Sequence, residues 1–180
     1  KWRLLEGKAL YDVSKDLMQR HDISEKHPAV VARLRKLYEA FWESVSPRMT
    51  PVCLDLGNPA ENPTLLCSQD WRLETGNPPW NFAEINQYKK ITGPWHVSVT
   101  RGGKYRFTLR QFPKEAGKPL QAVRAKVKIA GKEAVQKIAK GVQFVDFELD
   151  LPKGETTLET FLYTEKNEVG GAYFTEVKLL

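Results

Sequence analysis

Between His27 and Ser46 the sequence carries an apolar stripe too wide for its immediate neighbours to cover. Val30, Val31, Leu34, Leu37, Tyr38, Phe41, Trp42 and Val45 recur at steps of three and four, the spacing that puts side chains on one side of an α-helix. Arg33, Arg35, Lys36, Glu39 and Glu43 take the opposite side. Ser24 stands as the candidate N-cap, Pro28 fits a first helical turn, and Ser46-Pro47 ends the run. Two short strands precede this helix. Trp2, Leu4 and Leu5 lead into a turn at Gly7, and Leu10, Tyr11 and Val13 lead into the polar turn Ser14-Lys15-Asp16. A hairpin of that size cannot bury a stripe that includes Tyr38, Phe41 and Trp42, so the helix is expected to need a partner from chain lying upstream.

The rest of the sequence changes character twice. From residue 47 to 94, Pro51, Pro59, Pro63, Pro78, Pro79 and Pro94, with Gly57, Gly76 and Gly93, leave no room for a long regular element. Brief extended pieces are expected at Val52–Leu56 and Leu65–Cys67. From residue 95 to 180 the chain reads as successive strands. Trp95, Val97 and Val99 alternate with polar residues, and Arg101-Gly102-Gly103-Lys104 makes a turn before Tyr105, Phe107 and Leu109 resume the period of two. Val123–Ile129, Val142–Leu151, Leu158–Tyr163 and Tyr173–Leu179 supply the others. Turn signals every eight to fifteen residues or so predict an antiparallel β-sandwich or jelly roll. Tyr105, Phe107, Phe144, Phe147, Phe161, Tyr163, Tyr173 and Phe174 fall in patterns expected of its core. The predicted fold class is therefore α+β, organised as 1–46 (hairpin and long amphipathic helix), 47–94 (connecting segment) and 95–180 (sandwich).

Composition narrows the function. Hydrophobic residues make up 41% and charged residues 28% of the 180 positions, as in ordinary globular proteins. No apolar run approaches the roughly 20 residues of a membrane-spanning helix. The net charge of +6 is spread along strands, as in Arg124, Lys126 and Lys128. That is the pattern of a solvated sheet face, and no nucleic-acid-binding motif accompanies it. A basic surface would still attract sulfated polysaccharides. Cys53 and Cys67 form no disulfide framework, and His21, His27 and His96 lie at spacings that suit no zinc site. No nucleophile elbow is present, and Arg101-Gly102-Gly103 and Val169-Gly170-Gly171 read as hairpin-type turns and not as a phosphate loop. Glu148 and Asp150 share one face of a strand and are expected to face solvent. Asp70 is one carboxylate where glycosidase chemistry needs a pair.

Two stretches resemble a known family. The run from Trp2 to Val13, Trp-Arg-Leu-Leu-Glu-Gly-Lys-Ala-Leu-Tyr-Asp-Val, is similar to the closing hairpin of the formylglycine-dependent sulfatase fold. Lys26-His27-Pro28 and the aromatic stripe behind it resemble the long helix that follows in those enzymes. The turn departs from the family, since Asp16 is followed by Leu17-Met18-Gln19 and not by Pro-x-Glu. Asn58-Pro59-Ala60-Glu61-Asn62-Pro63-Thr64-Leu65, Gln69-Asp70-Trp71, Pro78-Pro79-Trp80-Asn81, the run from Gly103 to Glu115 and Gly171-Ala172-Tyr173-Phe174 resemble the C-terminal extension of a bacterial arylsulfatase subgroup.

The resemblance implies a sulfuric ester hydrolase, periplasmic or secreted, acting on sulfated carbohydrates or aryl sulfates. Its formylglycine and calcium would lie in an upstream catalytic domain, which would be the partner of this chain. The formylglycine precursor is the first residue of a Cys- or Ser-x-Pro-x-Arg motif. Cys53 is followed by Leu54-Asp55-Leu56 and Cys67 by Ser68-Gln69-Asp70, so no catalytic or metal residue is carried over and no cofactor is assigned here. Trp71, Trp80 and Asn81 are the candidate substrate-proximal residues, because indole faces make good sugar platforms. The alternatives are that the tryptophans merely pack the boundary between modules, or that the sandwich is a non-catalytic carbohydrate-binding or structural module.

Overall fold

The structure is a computed structural model describing residues 1–50 and 52–180. Pro51, one of the breakers of the connecting segment, lies outside the described residues. The chain divides into two compact units, Lys1–Pro51 and Val52–Leu180.

In the first unit, β1 (Trp2–Leu5) and β2 (Ala9–Asp12) pair antiparallel. Glu6 and Gly7 make the turn at positive φ (51° and 68°), a conformation a glycine adopts without steric cost. Helix α1 spans Pro28–Val45, as the periodicity predicts, but its N-terminus differs from expectation. Ser24 starts a separate 3₁₀ turn, Ser24–Lys26. The cap position falls to His27, whose carbonyl accepts from the amides of Val30 and Val31 while its side chain caps nothing.

The connection from β2 to α1 is pinned by Asp22. Its Oδ1 accepts from the amides of Leu10 (2.9 Å) and Ser24 (2.8 Å). These two N–H donors, Ser24's first, hold the carboxyl below the ordinary aspartate range. Arg35 adds a tie from the helix to the hairpin, its Nε donating to the Gly7 carbonyl at 2.6 Å. Leu10 and Val31 are the buried apolar side chains of this unit among the described residues.

The second unit holds two sheets. The six-stranded sheet runs β3 (Leu54–Leu56), β5 (Trp95–Val99), β10 (Gly154–Tyr163), β7 (Arg124–Ile129) and β8 (Lys132–Lys137), with β11 (Val169–Gly170) beside β10. The four-stranded sheet runs β4 (Thr64–Cys67), β12 (Phe174–Leu179), β6 (Gly103–Arg110) and β9 (Val145–Leu151). All pairings are antiparallel except β3 with β5. One core receives inward residues from both sheets: Trp95, Val97, Val127 and Leu158 from one, Tyr105, Phe107, Phe147 and Val177 from the other. This is the β-sandwich that the alternation predicts.

Several expectations are corrected. Arg101–Gly103 is not a hairpin turn, because β5 and β6 belong to different sheets. Val169–Gly171 is not one either: Val169 and Gly170 pair with β10, and the turn lies at Thr164–Glu168. The segment 52–94 is more than a connector. It gives β3 to one sheet and β4 to the other, and it sends Leu56, Leu66, Trp71 and Tyr88 into the core. Not all the aromatics point inward. Phe161, Tyr163 and Phe174 are half-buried on outer faces and Phe144 is exposed. Arg124 lies over the Tyr163 ring, Lys126 over Phe161 and Arg110 over Phe144, an arrangement that satisfies an exposed ring without burial. Glu148 and Asp150 face solvent, with Glu148 paired to Arg106. Cys53 and Cys67 are free and half-buried.

Two outcomes test this packing. A Cβ at Gly171 would stand 2.5 Å from the Trp71 ring and 2.9 Å from Thr92 Oγ1. Gly171→Ala should therefore cost roughly 1–3 kcal/mol by overpacking, read as a lower Tm in a thermal melt. In the first unit, a depressed aspartate stabilises the fold above its unfolded pKa, and that contribution is lost as pH falls through the folded value. Amide exchange at Leu10 and Ser24, corrected for intrinsic rates, should rise as pH drops below roughly 3.9. Asp22→Asn should make that exchange faster at neutral pH and remove its acid dependence.

Candidate functional site

The three residues singled out from sequence sit on the segment that follows β4. The structure separates them into different roles. Trp71 follows a 3₁₀ turn, Ser68–Asp70, and is only 5% exposed. Its ring packs edge-on against Trp95 (centroids 5.5 Å apart) and Tyr173 (5.9 Å). Its indole N–H is buried without a partner among the described residues. Enclosed in this way, Trp71 offers no ring face to a ligand and takes the packing role among the alternatives.

Trp80 is the opposite case at 79% exposed, and its backbone is firmly held. Asn81 caps the short helix α2 (Phe82–Asn86): its Oδ1 accepts from the Glu84 amide at 3.0 Å, and its Nδ2 donates to Glu84 Oε1 at 3.3 Å. Glu84 Oε2 accepts from the Trp80 amide (3.2 Å) and from Lys89 Nζ (3.1 Å). These donors, Lys89 first, hold the Glu84 carboxyl below its ordinary range. The arrangement is close to a capping box. Gln69 Nε2 also donates to the Pro79 carbonyl at 2.7 Å. Asn81 therefore spends its amide on the cap, and Trp80 is an exposed indole on a fixed base with no second tryptophan beside it.

The remaining polar groups of this region serve the fold. Trp95 Nε1 donates to the Cys67 carbonyl at 2.8 Å. Tyr88 donates to the Leu162 carbonyl at 2.6 Å, and Tyr173 donates to the Lys89 carbonyl. Burial pushes both phenols above the ordinary tyrosine range, so both stay neutral donors. The Cys67 thiol donates to Asp70 Oδ2 at 3.4 Å, and burial raises its pKa, which makes it a poor nucleophile. Among the described residues no group of His, Cys, Asp or Glu is placed to hold a metal ion. No helix among the described residues is long and apolar enough to cross a membrane.

Sequence reasoning missed a second candidate surface, on the outer side of the four-stranded sheet. A cavity of about 320 Å³ there is lined by Leu65, Cys67, Arg110, Lys114, Phe174 and Glu176, among others. Its signal was the alternation itself: Phe174 and Arg110 sit out of phase with their buried neighbours Thr175 and Leu109.

The class this fold defines is an antiparallel β-sandwich unit preceded by a hairpin-and-helix unit. No protein family matches the chain, and no curated protein sequence matches it. Among solved structures it is similar to a ruminal GH26 endo-β-1,4-mannanase, at 15% identity and a TM-score of 0.43, covering 66% of this chain and 26% of that one. It is also similar to a GH2 β-galacturonidase from Eisenbergiella tayi bound to glycerol, at 13% identity and a TM-score of 0.36, covering 67% and 25%. The chain thus spans about a quarter of the length of each.

The two tryptophans should separate cleanly on mutation. Trp71→Ala removes a core ring and should cost about 3–5 kcal/mol. Trp80→Ala should stay within about 0.5 kcal/mol of the parent. Chemical denaturation of both variants reads the contrast directly.

Proposed function

We propose that this chain is a non-catalytic β-sandwich module that attaches, through its hairpin and helix, to the catalytic domain of a formylglycine sulfatase. One observation carries the attachment. On α1, Leu37, Tyr38, Phe41 and Trp42 are 61%, 61%, 59% and 45% exposed, although they form the apolar side of an amphipathic helix. Burying side chains of this size is worth about 1.5–3 kcal/mol each. An 18-residue helix gains most of its stability from such packing.

The charges on the helix support the same reading. The basic residues Arg33, Arg35 and Lys36 precede the acidic Glu39 and Glu43, and Glu43 stands in the last turn, where the helix dipole favours a cation. None of the five enters an ion pair among the described residues. A covering surface with acidic groups near Arg33 and basic groups near Glu43 would complete both the apolar and the charged pattern.

The resemblance of Trp2–Val13 and Lys26-His27-Pro28 to the end of the sulfatase fold names the partner. In this reading the catalytic domain supplies formylglycine, calcium and sulfate-ester hydrolysis, on sulfated carbohydrates or aryl sulfates, in a periplasmic or secreted enzyme. The sandwich braces that enzyme or binds carbohydrate beside it.

The test is whether the transcript encoding this chain also encodes a Cys- or Ser-x-Pro-x-Arg motif upstream of Lys1. The full product should hydrolyse p-nitrophenyl sulfate, and the 180-residue chain should not. Replacing Tyr38, Phe41 and Trp42 by Ser in the chain should abolish its co-purification with the separately expressed catalytic domain. Turnover by the chain alone, or a transcript without the motif, would overturn the reading.

A further inference from the structure

The cavity on the four-stranded sheet is organised by strand register. Phe174 of β12 stands opposite Cys67 of β4 on one side and Arg110 of β6 on the other. Glu176, two residues on, stands opposite Leu65. Positions two apart on a strand share a face, and opposite positions are nearest neighbours across it. Phe174, Arg110, Glu176 and Leu65 therefore lie together on the outer surface. Lys114 and Glu115, from the 3₁₀ turn Lys114–Ala116 after β6, complete the lining of the roughly 320 Å³ space. That volume is at the small end of the range of ligand pockets, about 300–1,000 Å³.

What marks this cavity is that charges of both signs surround an apolar floor. Elsewhere on the same face Arg106 pairs with Glu148 at 2.8 Å and Thr108 donates to Asp146, while Lys104, Asp150 and Lys178 enter no ion pair among the described residues. At the cavity Arg110, Lys114, Glu115 and Glu176 enter no ion pair among the described residues. Arg110 is nevertheless fixed, its guanidinium stacked 4.5 Å from the Phe144 ring centroid, which leaves the N–H edges free to donate.

Two free cations and two free carboxylates around an apolar floor constrain the ligand. An anion would face Glu115 and Glu176, and a cation would face Arg110 and Lys114. An apolar molecule would desolvate all four charges without compensation. A hydroxyl accepts from a cation and donates to a carboxylate at once. A sugar ring offers adjacent hydroxyls at its edge and C–H groups on its face. We infer that this cavity is a subsite for one ring of a neutral saccharide, with a ring face on Phe174 and Leu65 and vicinal hydroxyls between Arg110 or Lys114 and Glu176 or Glu115. The inference deepens the carbohydrate-binding side of the module reading and does not depend on which surface covers α1.

The experiment is an amide NMR titration of the full chain with the methyl glycosides of glucose, galactose, mannose, xylose and N-acetylglucosamine, alongside glucuronate and galactose 6-sulfate. At least one neutral glycoside should shift the Arg110, Lys114 and Phe174 amides saturably, with a Kd on the order of millimolar. Arg110→Gln and Glu176→Gln, both outward-facing and expected to leave the melting curve unchanged, should each weaken that binding about tenfold. The chain with Ser at positions 38, 41 and 42 should bind the sugar as the parent does, so failure of docking and failure of sugar binding are read separately. No saturable shift from any neutral glycoside would overturn the inference. So would binding confined to glucuronate and the sulfated sugar, or binding that both Gln variants leave unchanged.

Discussion

The sandwich is held closed at one end by the indole of Trp95. The ring is fully buried on β5, and its N–H donates to the carbonyl of Cys67, the last residue of β4 in the opposite sheet. A buried indole is stabilised by an acceptor for its N–H, and for Trp95 that acceptor ties the two sheets together. Trp71 packs edge-on against the same ring, and Tyr173 packs against Trp71. The irregular chain between β4 and β5 is drawn into the core by this cluster. Ser68 donates its amide to the Tyr173 carbonyl, Arg72 to Pro94, and Gly171 to Ile91. Long connections normally lie over a surface because their backbone polar groups need partners. This one runs inward because the cluster and these bonds supply them.

That constraint also sets what the outer surface can do. With Trp71 committed to the core and Asn81 to the α2 cap, the recognition surface expected around the connecting segment reduces to the single indole of Trp80. The ring faces and free charges that could meet a ligand lie instead on the four-stranded sheet, where Phe174, Arg110 and Glu176 share a row-and-column arrangement fixed by register. Strand alternation puts Tyr173 inside and Phe174 outside. A shift of one residue in β12 would exchange them, destroying the aromatic cluster and the outer cavity together.

What could be read from sequence follows from which forces act locally. Helix α1 and the β1–β2 hairpin were legible because a period of 3.6 or 2 and a Gly turn depend on near neighbours alone. The strands β5, β6, β7, β9, β10 and β12 were legible for the same reason. Strand β8 was not: Lys132–Lys137 is a polar edge strand with no buried face to impose alternation. Partner choice was not legible either. Alternation in Trp95–Val99 and Tyr105–Leu109 assigns an inner face to each strand but is silent on whether the turn between them stays in one sheet or crosses to the other. The outward placement of Phe161 and Tyr163 was hidden because Phe-Leu-Tyr is apolar on both faces, and only the cations of the neighbouring strand, Lys126 and Arg124, show which face is wet.

The first unit poses the reverse problem, since its elements are clear and its core is nearly empty. Leu10 and Val31 are its buried apolar residues among those described, while α1 exposes three aromatic rings. Local hydrogen bonds do much of the work of shaping it. Asp22 gathers two amides, and Arg35 reaches the Gly7 carbonyl. Such bonds specify geometry without supplying the burial that drives folding. The uncovered apolar surface and unpaired charges of this helix are what the proposed attachment to a partner domain rests on. The proposed sugar subsite on the sandwich does not depend on that attachment, because its lining comes entirely from the second unit. The two proposals therefore stand or fall separately, one on a protein surface and one on a soluble ligand.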